Sequence, residues 1–325
     1  MTVGFAPDTA GMSGPVATVD ASTAQAAAGP AGPACLEVAD SRESAVGGIR
    51  VRRALPRRRR RTVGPWCFAD HMGPAPINET FGLAVGPHPH AGLHTVTWLF
   101  SGRVLHRDSL GTEQLIAPGQ LNLMTAGRGV SHSEESVRAD RGTLHGVQLW
   151  VAQPDATRFG EPAFAHHAEL PRVVLDRSEL TVLAGSLAGV TAPARQDTPL
   201  VGVDAVLHAG ASTWPLRPDF EHGLVVLSGA VAVDHQPVGE GRFAYLGRGR
   251  DELALTTTGP AQVLLLGGEP FEEPVLMWWN FVARSRAEIT TAYEQWRAED
   301  GRFGEVRTRL DRIPAPVPPW LSSPR

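Results

Sequence analysis

The chain has 325 residues, enough for two medium-sized domains that each bury their own core. Its formal net charge of −4 gives no general attraction to nucleic acid, and because all 30 basic residues are arginine no lysine Schiff base can form. The two cysteines are too few for a disulfide framework. With no secretory leader and no run of about 18 apolar residues, we expect a reduced, cytoplasmic protein without a membrane segment.

The first region, residues 1–36, is dominated by Ala, Gly, Pro, Thr and Ser. Such a segment buries too little apolar surface to offset its ordering entropy, so it is predicted to be a disordered tail. Region 37–154 changes to short apolar runs separated by turn residues. Many short strands without helical periodicity indicate an all-β barrel or sandwich. The clearest strands are predicted at Leu93–Phe100, Arg103–His106, Gln120–Met124 and Leu144–Val151.

Region 155–310 again consists of short apolar runs separated by turn residues. Trp98–Gly102 is echoed by Val225–Gly229, and Gly119–Met124 is echoed by Gly241–Leu246. Both echoes occur in the same order and at similar offsets, which predicts a duplicated β domain.

One helix is predicted near the C-terminus, where Ser285 and Glu288 form a capping box. The apolar residues that follow at the spacing of one helix face are Ile289, Ala292, Tyr293 and Trp296. Gly301 is predicted to end the helix. The remaining segment, 311–325, is rich in proline and should be an extended tail.

The histidines are concentrated in one part of the chain, with seven of the twelve in the range 71–145. His88 and His90 form a His-Pro-His sequence, and residues two apart in a strand face the same side. His132 and Glu134 have the same spacing after a glycine-rich turn. Two such pairs on neighbouring strands would form a ligand set that suits Fe, Cu, Ni, Mn or Zn better than Ca or Mg. The alternative is a set of surface histidines on loops.

These motifs lead to a resemblance. The spacing Gly82-x5-His88-x-His90-x3-His94-x7-Gly102 looks like the first cupin motif, with histidine where most cupins have glutamate. The chain also resembles the pirin family in several separate motifs, which occur in the family's order. The resemblance covers roughly residues 45–305. Its motifs are at 62–74, 118–134, 144–150, 268–274 and Arg302–Gly304.

The resemblance implies two tandem cupin barrels, each a double-stranded β-helix or jelly roll, followed by a short C-terminal helix. The barrel at 37–154 would bind one metal, and the barrel at 155–310 would be metal-free and carry the helix. In pirins the metal is typically Fe(II), with Ni, Cu, Mn and Zn sharing the same ligand set. The residues that match the pirin ligands are His88, His90, His132 and Glu134.

Pirins also show quercetinase activity, so the resemblance implies an iron-dependent dioxygenase acting on dioxygen and a flavonol or enol-type aromatic substrate. Glu134 would then be both a ligand and the catalytic proton acceptor. The alternative is a non-catalytic, metal- or redox-sensing protein that regulates a protein partner, as proposed for mammalian pirins. A structural zinc site is a third possibility, although such sites are typically rich in cysteine. We expect a monomer.

The second barrel lacks the corresponding ligands. Counting from Gly210 as from Gly82 puts Leu216 and Pro218 at the two ligand positions, and neither binds metal. His222 is the nearby imidazole, and we expect it to be a hydrogen-bonded strand residue.

Several residues near the site are predicted to have lesser roles. By strand alternation His94 should share the face of His88 and His90, as a hydrogen-bond donor to a ligand or as a pocket wall, with a fifth metal ligand as the less favoured alternative. His106 and His145 should pack or line the pocket. The arginine run at 57–61 is expected to be a solvated segment and not a nucleic-acid contact. The tryptophans expected mainly in the core are Trp66, Trp98 and Trp150, with a wall of the metal pocket as the alternative for one of them.

Overall fold

The computed structural model describes residues 34–137 and 140–322, so nearly all of the predicted disordered tail at 1–36 lies outside the described residues. The strands of the first half are β1 (Glu37–Asp40), β2 (Arg42–Val46), β3 (Ile49–Leu55), β4 (Trp66–Ile77), β5 (Ala84–His90), β6 (Leu93–Ser101), β7 (Val104–Asp108), β8 (Glu113–Ile116), β9 (Leu121–Thr125), β10 (Val130–Ser136), β11 (Gly142–Ala152) and β12 (Ala163–His167).

The second half contains the remaining strands and one helix, and the predicted all-β class is confirmed. The strands are β13 (Arg172–Leu175), β14 (Ser178–Leu187), β15 (Val190–Thr191), β16 (Leu200–Leu207), β17 (Gly210–Pro215), β18 (Glu221–Ser228), β19 (Ala230–Val233), β20 (Gln236–Gly239), β21 (Arg242–Gly247), β22 (Glu252–Thr257), β23 (Ala261–Gly268), β24 (Leu276–Trp278) and β25 (Phe281–Ala283), followed by α1 (Arg286–Ala298).

Each half of the chain forms a barrel from one large and one small antiparallel sheet. In the first barrel the large sheet has the order β12-β9-β6-β11-β4-β3-β2 and the small sheet has the order β5-β10-β7-β8. In the second barrel the corresponding orders are β1-β21-β18-β23-β16-β14-β13, with β15 beside β14, and β17-β22-β19-β20. Apart from the short strand β15, the two topologies match strand for strand. The echoed sequences lie at β6 and β18, and at β9 and β21, so the predicted duplication is confirmed.

The two barrels exchange their outermost strands. β1, at the start of the region predicted to form the first barrel, pairs with β21 of the second barrel, where Glu37 lies opposite Tyr245. β12, at the start of the region predicted to form the second barrel, pairs with β9 of the first barrel, where Phe164 lies opposite Met124. The large sheet of each barrel is therefore completed by a strand from the other predicted domain. Region 37–154 supplies β1 to the second barrel, and region 155–310 supplies β12 to the first.

The barrels pack back to back through the outer faces of their large sheets. Trp66 donates its indole N–H to the carbonyl oxygens of Val201 and Gly267, at 3.1 and 3.0 Å, and Trp98 donates to a carboxylate oxygen of Asp204 at 3.2 Å. Around these contacts a buried apolar layer draws on both sheets. Separate apolar clusters fill the interior of each barrel. The expectation that Trp66 and Trp98 are core residues is thus correct, because they form the interface between barrels.

The arginine-rich segment 57–61 lies beside the interface between the two barrels. Arg58 and Arg59 are exposed, as expected of a solvated segment. Arg60 instead stacks its guanidinium 3.3 Å from the ring centroid of Tyr245, and the nearby Arg52 donates to Glu240 at 2.7 Å. Both partners belong to the second barrel. Part of the arginine cluster therefore joins the two barrels.

Helix α1 begins as the sequence predicts. The hydroxyl of Ser285 accepts from the backbone N–H of Glu288 at 3.2 Å. The helix ends differently, because Glu299 adopts the left-handed conformation at φ 53° before Gly301 is reached. The buried helix residues are Ile289, Ala292, Tyr293 and Trp296, the predicted face.

The helix and the tail that follows it return to the first barrel. Ile313 donates its backbone N–H to the carbonyl oxygen of Pro87 at 2.8 Å and accepts from the indole N–H of Trp296 at 3.0 Å. At Gly86 a Cβ atom would overlap the carbonyl oxygen of Asp311, so only glycine permits this approach. The proline-rich tail thus covers β5. Among the described residues, no helix has the length and apolar character needed to cross a membrane.

Candidate metal centre

The His-Pro-His sequence lies on β5, which is the edge strand of the small sheet of the first barrel. An edge strand tolerates proline, because its outward N–H groups have no ladder partner to lose. Pro87 and Pro89 alternate with His88 and His90, and both histidines are fully buried. β10 pairs with β5 so that His132 lies opposite His88. The sequence pattern therefore brings the two predicted pairs onto adjacent strands.

Three imidazoles converge inside the first barrel. The ligand-type nitrogens of His88, His90 and His132 all lie within 4.8 Å of one another. The Nε2 atoms of His90 and His132 are 3.1 Å apart. All three rings are at most 1% exposed. The ring of Trp150 meets the His90 ring edge-on, with centroids 5.0 Å apart, and Phe68 stacks on Trp150. Of the three tryptophans, Trp150 is the one that forms a wall of this site.

The hydrogen bonding of His88 leaves one nitrogen for a ligand. Its Nδ1 lies 2.8 Å from the carbonyl oxygen of Gly86, and because a carbonyl only accepts, Nδ1 carries the proton. Its Nε2 is buried and has no hydrogen-bond partner. A buried polar atom without a partner is costly unless something else binds it. The bare Nε2, aimed at two further imidazoles, fits a transition-metal ion.

Glu134 lies at the side of this cluster. A carboxylate oxygen of Glu134 is within 4.8 Å of ligand-type nitrogens of His132 and His106, and Thr97 donates its hydroxyl to Oε1 at 3.3 Å. Burial raises the pKa of Glu134. The structure thus groups Glu134 with His106 and His132, and it groups His88 and His90 with His132.

Burial also determines the charge of the imidazoles. It lowers the pKa of His88 to about 4, and it lowers the pKa of His90 and His132 well below the usual value, where neighbouring imidazoles add to the effect. Neutral rings are the form that binds metals. At neutral pH the cluster therefore presents lone pairs and not positive charge.

His106 and Asp108 stand beside these residues, and sequence reasoning gave His106 no more than a lining role. His106 on β7 contacts both Asp108 and His132. Its Nε2 lies 3.1 Å from Oδ2 of Asp108, and its Nδ1 lies 3.3 Å from Nδ1 of His132. Phe164 of the exchanged strand β12 stacks on His106, with ring centroids 4.6 Å apart. The signal for this pair was a third i, i+2 spacing, His-x-Asp.

His94 does not share the face of His88 and His90, so this prediction was wrong. Gly92, at φ 73°, turns the chain between β5 and β6 and breaks the alternation. β6 belongs to the large sheet, and His94 faces outward, where its Nε2 lies 3.1 Å from a carboxylate oxygen of Asp197 and its Nδ1 lies 2.9 Å from the Thr125 hydroxyl. Although burial opposes it, the hydrogen bonds to Asp197 hold the pKa of that carboxyl well below its usual range.

His145 belongs to neither group of ligand-type side chains. Its Nε2 lies 2.7 Å from the Nε2 of His71, and the ring of Phe100 packs against it, with centroids 4.8 Å apart. The expectation of a packing role for His145 agrees with these contacts.

The interior of the second barrel is apolar where the first barrel carries ligands. Trp214 on β17 lies opposite Leu253 on β22, and both are fully buried. Leu216 joins the same apolar cluster. His222 is buried without a hydrogen-bond partner for either ring nitrogen, so the expectation of a hydrogen-bonded ring was wrong; burial lowers its pKa to about 4. Within the described ranges, groups of three ligand-type side chains occur only in the first barrel.

Comparison with known proteins finds two consecutive family domains in the chain. Residues 48–151 match the Pirin family domain, and residues 202–304 match the Pirin C-terminal cupin domain. A protein of Pseudomonas aeruginosa, named as a candidate quercetin 2,3-dioxygenase, is 49% identical over 280 residues, which are 84% of this chain and 87% of the relative. A pirin-like protein of Caulobacter vibrioides is 37% identical over 269 residues, which are 80% of this chain and 92% of the relative.

Among solved structures, a crystal structure of quercetin 2,3-dioxygenase from Acinetobacter baumannii is 43% identical, with a TM-score of 0.85 over 89% of this chain and 97% of that chain. Each matched range contains the central strands of one barrel, and the predicted tandem cupin architecture is confirmed. The chain therefore belongs to the pirin family.

Proposed function

We propose that the chain binds one Fe(II) ion through His88, His90, His132 and Glu134 and acts as a dioxygenase of the quercetin 2,3-dioxygenase type. The substrate would be an aromatic compound with a flavonol or enol hydroxyl. Ni, Cu, Mn and Zn remain alternatives, because they share this ligand set. The observation that carries the proposal is the bare, buried Nε2 of His88 beside the facing nitrogens of His90 and His132.

The relatives support the chemistry. One is named as a candidate quercetin 2,3-dioxygenase and is 49% identical to this chain over 280 residues, and another, 43% identical, was solved as a quercetin 2,3-dioxygenase. Bound iron would supply a Lewis acid for the oxygen of the substrate and a binding position for dioxygen.

The residues of the chain would have separate roles. His88, His90 and His132 would hold the ion as neutral ligands. Glu134 would accept the proton of the substrate hydroxyl. The hydroxyl of Thr97, which lies 3.3 Å from Oε1 of Glu134 and 2.8 Å from Oε1 of Gln148, would help to position the carboxylate.

The test is anaerobic purification with elemental analysis, followed by oxygen uptake with a panel of flavonols. We expect stoichiometric iron and substrate-dependent uptake in the wild type. His132→Ala should lose both. His208→Ala is a matched control, because His208 is an exposed residue of the second barrel that pairs with Glu179. Stoichiometric iron in His132→Ala would contradict the site, and iron without uptake on any flavonol would contradict the activity.

One observation favours a second function, a non-catalytic metal or redox sensor that regulates a protein partner. All four proposed ligands are at most 2% exposed, so a bulky substrate reaches them only if surrounding side chains move. A sensor needs only electrons to reach the metal. Bound metal, no oxygen uptake and a redox-dependent change in the surface, measured by hydrogen exchange of oxidised and reduced protein, would support this function.

We also propose that the protein is a cytoplasmic monomer. Cys35 and Cys67 are both free, as expected in a reducing compartment. Light scattering at several concentrations tests the monomer, since a mass near 34.7 kDa is expected throughout.

A further inference from the structure

His106 and Asp108 form a buried pair beside the proposed metal ligands, and the proposed function gives them no task. β7 pairs antiparallel with β10, with Asp108 opposite His132 and His106 opposite Glu134. Both members of the pair are at most 3% exposed. Two i, i+2 pairs, His-x-Asp and His-x-Glu, therefore face each other across adjacent strands.

The first link runs from Asp108 to His106. Oδ1 of Asp108 accepts from the backbone N–H groups of Leu110 and Thr112, at 2.9 and 3.0 Å. Its Oδ2 lies 3.1 Å from Nε2 of His106. Because a carboxylate held by two amide donors is an acceptor on its other oxygen as well, Nε2 of His106 carries a proton and donates it.

The second link runs from His106 to His132, whose Nδ1 atoms lie 3.3 Å apart. A neutral imidazole has one N–H, and in His106 it is already on Nε2, so its Nδ1 accepts. The Nδ1 of His132 must then donate. The Nε2 of His132, which faces His90 at 3.1 Å, is consequently left with a lone pair.

We infer that His106 and Asp108 are positioning residues that fix the tautomer of His132, so that its Nε2 is presented to the metal. This inference rests on the proposed metal site. Ligating histidines are commonly oriented through the ring nitrogen that does not bind the metal, and loss of such a partner typically lowers metal affinity about 10- to 100-fold. His106 is not itself a ligand, because its two nitrogens are used by Asp108 and His132.

Asp108→Asn is the decisive variant. Its carboxamide oxygen must still accept from the amides of Leu110 and Thr112, so its NH₂ group would face Nε2 of His106. This turns Nε2 into an acceptor and moves the proton of His106 to Nδ1. His132 must then carry its own proton on Nε2, where it competes with the metal. We expect metal affinity to fall about 10- to 100-fold, with no loss of folded protein.

Two substitutions of His106 separate its two contacts. His106→Asn retains an acceptor near the position of Nδ1 and loses the contact with Asp108. His106→Gln can still donate to Asp108 but removes the acceptor that faces His132. We expect His106→Asn to retain more affinity than His106→Gln. Arg107→Gln is the matched control. Arg107 lies between His106 and Asp108 on β7, and its side chain contacts Glu113 and Glu135 instead.

The experiment has two readouts that do not depend on dioxygenase activity. Anaerobic titration with Co(II) gives metal affinity, and long-range ¹H–¹⁵N NMR of the metal-free protein gives the histidine tautomers. We expect Nδ1–H on His132 and Nε2–H on His106 in the wild type, and the reverse in Asp108→Asn. Arg107→Gln should match the wild type.

The outcomes separate the inference from the proposed function. A wild type that binds no Co(II) overturns the metal site and the inference with it. A wild type that binds Co(II) while Asp108→Asn binds it equally well, or a wild-type His132 protonated on Nε2, overturns the inference alone. A changed Co(II) absorption spectrum in His106→Gln, with one nitrogen ligand fewer, would make His106 a ligand and contradict its positioning role.

Discussion

The Nε2 atoms of His90 and His132 face each other at 3.1 Å, although the two rings come from different strands of the small sheet. Two nitrogens bound at about 2.1 Å to one ion, at a right angle, would be about 3 Å apart. At the same separation, two rings without an ion must share one N–H between them. A cation and a proton therefore compete for the same position.

Removal of metal should lower the thermal stability of the protein. A ligand present at 100 times its Kd stabilises the folded state by about 2.7 kcal/mol. Calorimetry with and without a chelator checks this, and the metal-dependent increase in Tm should disappear in His88→Ala. An undiminished increase in that variant would mean that the stabilising ion binds elsewhere.

The buried ion pair of Arg53 and Asp70 should be important for the stability of the first barrel. Two N–H groups of Arg53 donate to the two carboxylate oxygens of Asp70, both at 2.7 Å, and the side chains are 0% and 2% exposed. Asp70→Ala removes the carboxylate that neutralises a buried guanidinium, which should cost about 3–5 kcal/mol.

Urea denaturation measures that loss, and the double variant Arg53→Met/Asp70→Leu is its control. It removes both charges and keeps apolar volume, so it should be more stable than Asp70→Ala. A loss below about 1 kcal/mol in Asp70→Ala would show that the pair contributes no more than a surface ion pair.

Asp204 should make the contact between the barrels sensitive to pH. Burial raises its pKa to about 6, although Gln262 and Trp98 donate hydrogen bonds to it. In the unfolded chain the pKa is about 3.9, so the stability present below about pH 4 is lost as the pH rises through 6. Asp204→Asn should be more stable than the wild type by roughly 2–3 kcal/mol at pH 8 and equal to it at pH 4.

Unfolding at the two pH values measures this difference. The amide of Gln262 can rotate to donate to or accept from the new carboxamide, so the hydrogen bonds are retained. A difference that is constant from pH 4 to pH 8 would contradict the proposed titration.

The two cysteines should differ in reactivity. Burial raises the pKa of Cys67 to about 12, and the residue is 1% exposed within the first barrel. Cys35 is partly exposed, although burial and Glu37 raise its pKa as well. Mass spectrometry after alkylation should find Cys35 modified in the folded protein and Cys67 only after unfolding. Equal labelling of both thiols would show that the first barrel opens easily.

Local patterns were sufficient to predict much of this structure. The helix cap at Ser285, the apolar face that follows it and the strands around the glycine turns depend on neighbours in sequence. The same is true of His88 and His90, whose common face follows from the period of a strand. The duplication was visible because it repeats such local patterns at a distance.

The failures concern contacts between strands that are distant in sequence. His94 lies only four residues from His90, but the turn at Gly92 places it on another sheet, where its partner is Asp197 of the second half. The approach of His106 to His132 depends on the pairing of β7 with β10, and the exchange of β1 and β12 depends on how two complete barrels meet. None of these pairings has a signal within a short window of sequence.

The exchange of β1 has a consequence for synthesis on the ribosome. β1 is the first described strand to be made, yet it lies opposite Arg242–Tyr245, which are translated some two hundred residues later. All strands of the first barrel have been synthesised once His167 is made. The edge of β1 has no partner until β21 has been synthesised. Glu37 and Asp40 place a charge at each end of that waiting strand, a common protection against pairing with the wrong partner.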